Sequence, residues 1–398
     1  MRRLFALLVP FFFLNDRLHA QDVPSEPIIY QVPEMAAVQV KQNILFKKVN
    51  DTSLTLDVYY PPLFDQKTKL PVVIFNNGVG SMTIPLWRVY KDWARLIAAK
   101  GMIAINYQAR NNNGLEDGAS LIDYVRANGT QLNIDTARIA MWTCSANTRV
   151  GMRLAMDSTR IFIKSLVVYY GAPDSLGRLR QDLPTLMVRC GLDAQFINMG
   201  IENFLQQALM QDMRIELINY LKGTHAFDIT TNTDEARAII DKTIDFFKEN
   251  FDKSYAKPGE FVLTNRNFMW LMNSHQSEKA VAEFRKARGR YRADSTFNPF
   301  WNAVIREDVL NANAYWLMQH DRLPEALEAF KLMVESYPES PNAYDGLGDY
   351  YEAAGNKTEA IKNAEICLEK LDKATDLNAD FKERVRQSAL DKITRLKQ

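Results

Sequence analysis

From about residue 40 to residue 253 the chain alternates two patterns. Short, continuously apolar runs rich in β-branched residues are VVIF (72–75), MIAINY (102–107), RIAMW (138–142), SLVVYY (165–170), TLMVRC (185–190) and RIELINY (214–220), which predict strands. Between them YKDWARLIAAKG, LEDGASLIDYVRANG, FINMGIENFLQQALMQ and TDEARAIIDKTIDFFKENF repeat their apolar residues every three or four positions, which predicts helices. Strands apolar on both faces and separated by amphipathic helices predict a mostly parallel sheet covered on both sides. Two earlier runs, ILFKKV and LTLDVYY, flank the turn-forming Asn50-Asp51-Thr52-Ser53 and predict an antiparallel hairpin leading into that sheet.

After Phe251 the string DKSYAKPGE has a Pro-Gly pair and no apolar period, so residues 254–259 read as a linker. Beyond it, over 260–398, only helical patterns remain, and they repeat. A shift of 34 positions places Leu310 on Tyr344, Ala314 on Gly348, Leu317 on Tyr351, Ala326 on Ala360 and Phe330 on Ala364. Leu271, Ala280, Phe284 and Ala287 fit the same spacing, set off by a 12-residue insertion around STFNPFWNAVIRED. Phe381, Val385, Ala389 and Ile393 form a single apolar stripe suited to a closing helix. This period, with small residues where helices cross, resembles the tetratricopeptide repeat. The resemblance implies a concave surface for a protein or peptide partner, or helices that stiffen the first domain.

The first 20 residues differ from both regions. Arg2 and Arg3 precede an apolar run from Leu4 to Leu14 and a polar stretch ending at Ala20, the plan of a secretory signal peptide cleaved after Ala20. The run is too short to span a bilayer, so the mature chain is expected to be secreted or periplasmic with no membrane span. Cleavage removes Arg2, Arg3, Arg17 and Asp16 and takes the formal net charge from +1 to −1. Near-neutral charge argues against nucleic-acid binding. The three cysteines, Cys144, Cys190 and Cys367, cannot make a disulfide framework and none pair at zinc-ligand spacing, so free buried thiols are expected. Of four histidines, His19 leaves with the signal and His275 and His320 lie in the helical repeats. The first domain retains His225 alone.

That histidine draws attention to a corner upstream. RIAMW runs into Thr143-Cys144-Ser145-Ala146-Asn147 and then the helical TRVGMRLAM. A serine on a sharp strand-to-helix turn projects its hydroxyl above the sheet edge, beside a helix N-terminus that favours negative charge. Gly is the usual occupant two residues to either side, and here those places hold Thr143 and Asn147. Centring the corner on Cys144 would put Trp142 at the crowded position, which favours Ser145. His225 follows the strand RIELINY in LKGTHAFD, where it can serve as the base that a serine nucleophile needs. Asp193, in the loop after TLMVRC, completes the chain order Ser, Asp, His. Asp174 is the alternative acid, and Asp228 lies too close to the histidine to be its partner. The oxyanion donors expected are the N–H of Ala146 and the backbone of Gly78 and Val79 in Asn76-Asn77-Gly78-Val79-Gly80.

PVVIFNNGVG, RIAMWTCSANTRVG, LVVYYGAPD, LPTLMVRCGLDAQFIN and INYLKGTHAFD, in that order, make residues 40–253 resemble an α/β-hydrolase domain of the dienelactone-hydrolase-like or carboxylesterase-like branch. The resemblance implies an eight-stranded sheet and ester hydrolysis through an acyl-enzyme, with no metal or organic cofactor. Dienelactone hydrolases carry Cys at the elbow; Ser145 points to the esterase side. Only APDSLGRLRQDLP separates YYG from TLMVRC, too little for a large lid, which suits a small-molecule or carbohydrate-linked ester. The alternatives are a non-catalytic binding protein on a degenerate hydrolase fold, and a peptidase or thioesterase with the same triad.

Overall fold

The computed structural model describes residues 26–65, 67–76, 82, 84–174, 176–253, 262–293, 305–375 and 377–398; the expected signal peptide and linker lie outside them. The chain divides into two compact units. The first comprises the described residues up to Asp174 with Thr185–Ile201 and Glu216–Lys253. The second comprises those within Ser175–Pro184, Glu202–Ile215 and Ser254–Gln398, so it is discontinuous in sequence.

The sheet consists of β1 (Gln39–Val49), β2 (Thr52–Tyr60), β3 (Leu70–Asn76), β4 (Ile103–Tyr107), β5 (Ile134–Cys144), β6 (Ile163–Tyr169), β7 (Thr185–Cys190) and β8 (Ile215–Tyr220), in the order β1-β2-β4-β3-β5-β6-β7-β8. β1 pairs antiparallel with β2 and β2 with β4, while β4, β3, β5, β6 and β7 run parallel. The alternation predicts this mostly parallel, covered sheet, and its eight strands are the number that the resemblance to an α/β-hydrolase implies. The predicted hairpin is present, with a turn of only Asn50 and Asp51, the former left-handed at φ 51°. Thr52 and Ser53 already belong to β2 because their side chains alternate across the pleat.

The helices covering the sheet are α1 (Arg88–Ala99), α2 (Gly114–Ala127), α3 (Thr148–Met156), α4 (Gln195–Met210, shared between the units), the short α5 (Phe227–Thr230) and α6 (Asp234–Phe251). The central strands read as apolar runs because both faces are covered: every residue of β4 is buried, as are Val72 to Asn76 of β3. On one face an aromatic cluster forms the core, with Trp142 of β5 5.3 Å from Phe75, 5.5 Å from Trp93 of α1 and 5.5 Å from Tyr169, ring centre to ring centre. The chain leaves β3 for β4 on one side and leaves β5 for β6 on the other. A crevice therefore opens outside the carboxyl ends of β3 and β5, where Asn76 and Thr143 sit side by side in register.

Among its described residues the second unit's C-terminal region is all helical: α7 (Asn265–Asn273), α8 (Ser277–Ala293), α9 (Glu307–Gln319), α10 (Leu323–Ser336), α11 (Pro341–Ala353), α12 (Lys357–Lys373) and α13 (Ala379–Lys397). α9 and α11 begin 34 positions apart, and so do α10 and α12. α8 begins 46 positions before α10, the extra 12 being the insertion read from the sequence. Of the residues that superimpose under that shift, Leu310, Ala314, Leu317, Ala326, Phe330, Gly348, Ala360 and Ala364 are buried, and Tyr344 and Tyr351 are half-buried. Gln181 anchors the start of this region, donating from Nε2 to Val262 O (3.1 Å) and accepting at Oε1 from Val262 N (2.7 Å). At the far end the ammonium of Lys392 on α13 is buried between Asp345 and Asp349 of α11, at 3.0 and 2.6 Å.

Candidate active site

β5 ends at Cys144, and Ser145 opens a single 3-10 turn, Ser145–Asn147, that continues into α3. Ser145 has φ 48°, a left-handed backbone that costs a non-glycine residue about 1–3 kcal/mol and lifts its side chain clear of the strand. Its Oγ lies 2.9 Å from His225 Nε2. His225 stands in the loop after β8, just before the left-handed Ala226 (φ 56°) that caps α5, and its Nδ1 lies 2.8 Å from Asp193 Oδ2. With Nδ1 donating to the carboxylate, Nε2 is left as acceptor for the serine proton. Asp193 is buried at its side chain, while the imidazole keeps a solvent-facing edge. The second oxygen of Asp193 accepts from Ala194 N at 2.7 Å, which fixes the carboxylate plane.

The other acids lie elsewhere. Asp174 pairs with Arg149 and Arg153 of α3, at 3.1 and 3.0 Å. Asp228 is buried and accepts from Trp93 Nε1 (2.7 Å) and Tyr170 OH (2.8 Å). Cys144 is buried with its Sγ 3.6 Å from Tyr90 OH, and burial pushes its thiol up to about 12, so it stays a protonated thiol at neutral pH. Cys190 and Cys367 are likewise buried and unpaired. The N–H of Ala146 belongs to the first helical turn, where no intrahelical carbonyl takes it. Gly78 and Val79 lie outside the described residues.

Thr143 takes the place of one expected glycine and faces a glycine across the gap, and a second glycine faces the turn that holds Asn147 at Ser145 and Thr148. A Cβ on Gly151 of α3 would lie 2.6 Å from Thr143 Cβ, and one on Gly171 after β6 would lie 2.6 Å from Ser145 O and 2.0 Å from Thr148 Oγ1. The space that the corner requires is thus supplied by the facing elements. Gly151→Ala is accordingly expected to destabilise the first unit by about 1–3 kcal/mol, against the helix preference for alanine. Thr143→Gly should recover part of that loss, and a double-mutant cycle by urea unfolding measures the coupling.

Sequence reasoning missed Tyr170 as a neighbour of the histidine, and missed that Trp93 and Tyr170 hold Asp228. Tyr170 packs on the imidazole face, with ring centres 4.8 Å apart. The ladder that ends β6 beside β5 is the signal that places Tyr170 next to the serine corner.

Fold and site together define an α/β-hydrolase scaffold with a serine, histidine and aspartate in hydrogen-bonded series at the carboxyl edge of the sheet. No family model matches the chain, and no curated protein matches it. Among solved structures it is similar to a fungal esterase from Rhizomucor miehei, 16% identical over 54% of this chain and 84% of that one, with a TM-score of 0.44. A bacterial heroin esterase is 11% identical over 55% and 86%, TM-score 0.47, and the esterase LipW from Mycobacterium marinum is 15% identical over 55% and 85%, TM-score 0.46. Among the described residues no helix is long and apolar enough to cross a membrane, and no cluster of three or more His, Cys, Asp or Glu could hold a metal.

Proposed function

We propose that the chain is a serine hydrolase that cleaves carboxylic esters through an acyl-enzyme. The observation that carries this reading is the unbroken series Ser145 Oγ, His225 Nε2, His225 Nδ1, Asp193 Oδ2, with both contacts under 3 Å. His225 removes the Ser145 proton as the oxygen attacks the ester carbonyl, and Asp193 holds the tautomer and stabilises the imidazolium. The N–H groups of Ala146 and of the Gly78 and Val79 segment receive the oxyanion. The imidazolium protonates the departing alcohol, and water then attacks the acyl-enzyme with His225 again as base. The high-lying Cys144 thiol supports serine, and not cysteine, as the nucleophile. Secretion through residues 1–20 and a tetratricopeptide-like fold for residues 260–398 belong to the same proposal, the latter supported by the 34-residue offset of successive helices.

A fluorophosphonate probe tests the enzyme reading. Wild type should label and Ser145→Ala should not. Absence of labelling in folded wild type would favour a non-catalytic binding protein.

A further inference from the structure

His225 is held on its two edges by Ser145 and Asp193, and on its face by Tyr170. Tyr170 has its own constraint: it is buried, sits at φ 34°, and its hydroxyl donates to Asp228. Asp228 is three residues past the histidine, in the first turn of α5, and is 1% exposed. One oxygen takes the Tyr170 hydroxyl and the other the indole N–H of Trp93 on α1, so both oxygens act as acceptors, as an ionised carboxylate does. Among the described residues no lysine or arginine pairs with it. A buried carboxylate without a cation is an expensive tether. Asp193 and Tyr170 are the other ionisable groups seen against the imidazole, and Cys144 and Cys190 interact with Asp228. Burial pushes both thiols up to about 12 and raises the Tyr170 phenol well above its ordinary value. Asp193 and Asp228 are therefore the two anions available to a protonated His225.

We infer that Asp228 is a second, positioning carboxylate for His225: through Tyr170 it sets the face of the ring, and its charge favours the imidazolium formed when Ser145 gives up its proton. Asp228 acts without touching substrate, and the inference rests on the serine-hydrolase reading. The chain separates the two jobs that one carboxylate performs in a minimal triad. Asp193 fixes the tautomer through Nδ1, and Asp228, behind Tyr170, adds charge without competing for that nitrogen. Its own carboxyl is raised by burial, offset by the Trp93 and Tyr170 donors and by the nearby histidine.

The test compares kcat, KM and the acid limb of kcat/KM for full-length wild type, Asp228→Asn and Tyr170→Phe on p-nitrophenyl acetate, with fold checked by circular dichroism. Asp228→Asn should lower kcat at least about tenfold with KM within about twofold, as loss of an outer carboxylate partner of a histidine does. It should also move the acid limb to lower pH by about half a unit or more, because an imidazolium that loses an anion gives up its proton more readily. A purely structural role would not move that limb. Tyr170→Phe keeps the ring and the charge, so it should lower kcat and leave the limb in place. A folded Asp228→Asn with wild-type kcat and limb overturns the inference, and if that variant does not fold, wild-type kcat in Tyr170→Phe overturns it. If wild type itself neither hydrolyses the ester nor labels with fluorophosphonate, it is the serine-hydrolase reading that fails.

Discussion

Ser145→Ala is expected to reduce kcat for an activated ester by about 10⁴-fold or more, and His225→Ala by a similar factor. The two should not add: once the nucleophile is gone the base has no proton to accept, so the double variant should be no slower than either single one. Asp193→Asn should also fall by about 10⁴-fold, because the amide can offer its N–H₂ to Nδ1 and so stabilise the wrong tautomer. Stopped-assay kinetics on p-nitrophenyl esters check all three. Full activity in His225→Ala would remove the triad. Full activity in Asp193→Asn would return attention to Asp174, whose pairing with Arg149 and Arg153 now argues against it.

The second large effect is one of stability. Lys392 holds Asp345 and Asp349, one turn apart on α11, and Tyr315 OH also donates to Asp349. Lys392→Ala leaves the buried Asp345 and the half-buried Asp349 together without a cation, a loss of about 3 kcal/mol for the second unit, read by urea unfolding or by hydrogen exchange in α13. Replacing all three charges with apolar residues of similar volume should restore most of it. The pH dependence follows from two raised groups. Burial holds the Asp345 carboxyl above its ordinary range, so the folded state binds that proton more tightly than the unfolded chain and gains stability as the pH falls. The deficit of Lys392→Ala should therefore shrink on acidification from about pH 7 towards about pH 4. In wild type the Lys392 ammonium is raised by Asp345 and Asp349 against the desolvation that lowers it. Its contribution is complete below the ordinary lysine value and is lost as the pH rises through the raised one.

The sheet was legible because its central strands are buried on both faces and carry no polar alternation, and because each helix between them shows a single apolar stripe. Ser145, His225 and Asp193 could be found from their places at strand ends, since the C-terminal edge of a parallel sheet gathers such loops whatever their sequence. What spacing cannot show is contact between elements. The room around the serine corner was sought at positions 143 and 147, whereas it lies at Gly151 and Gly171. Asp228 was set aside as too near His225, yet its importance comes from Trp93 and Tyr170, which are 135 and 58 positions away. Lys392 sits one position from Ile393 in a stripe read as apolar, and only the packing of α13 on α11 exposes its buried charge.

The indole of Trp93 has one more consequence. β8 is one of the two edge strands of the sheet and half of it faces solvent, so it belongs to the part of the fold that opens most easily. His225 hangs from that strand, but Asp228 fastens its loop to α1, whose Trp93 lies fully inside the core. Fraying of the sheet edge then need not carry His225 away from Ser145. Native-state hydrogen exchange should find the amides of residues 227–230 closing with the central core, slower than those of β8, so that the machinery outlasts the strand that presents it.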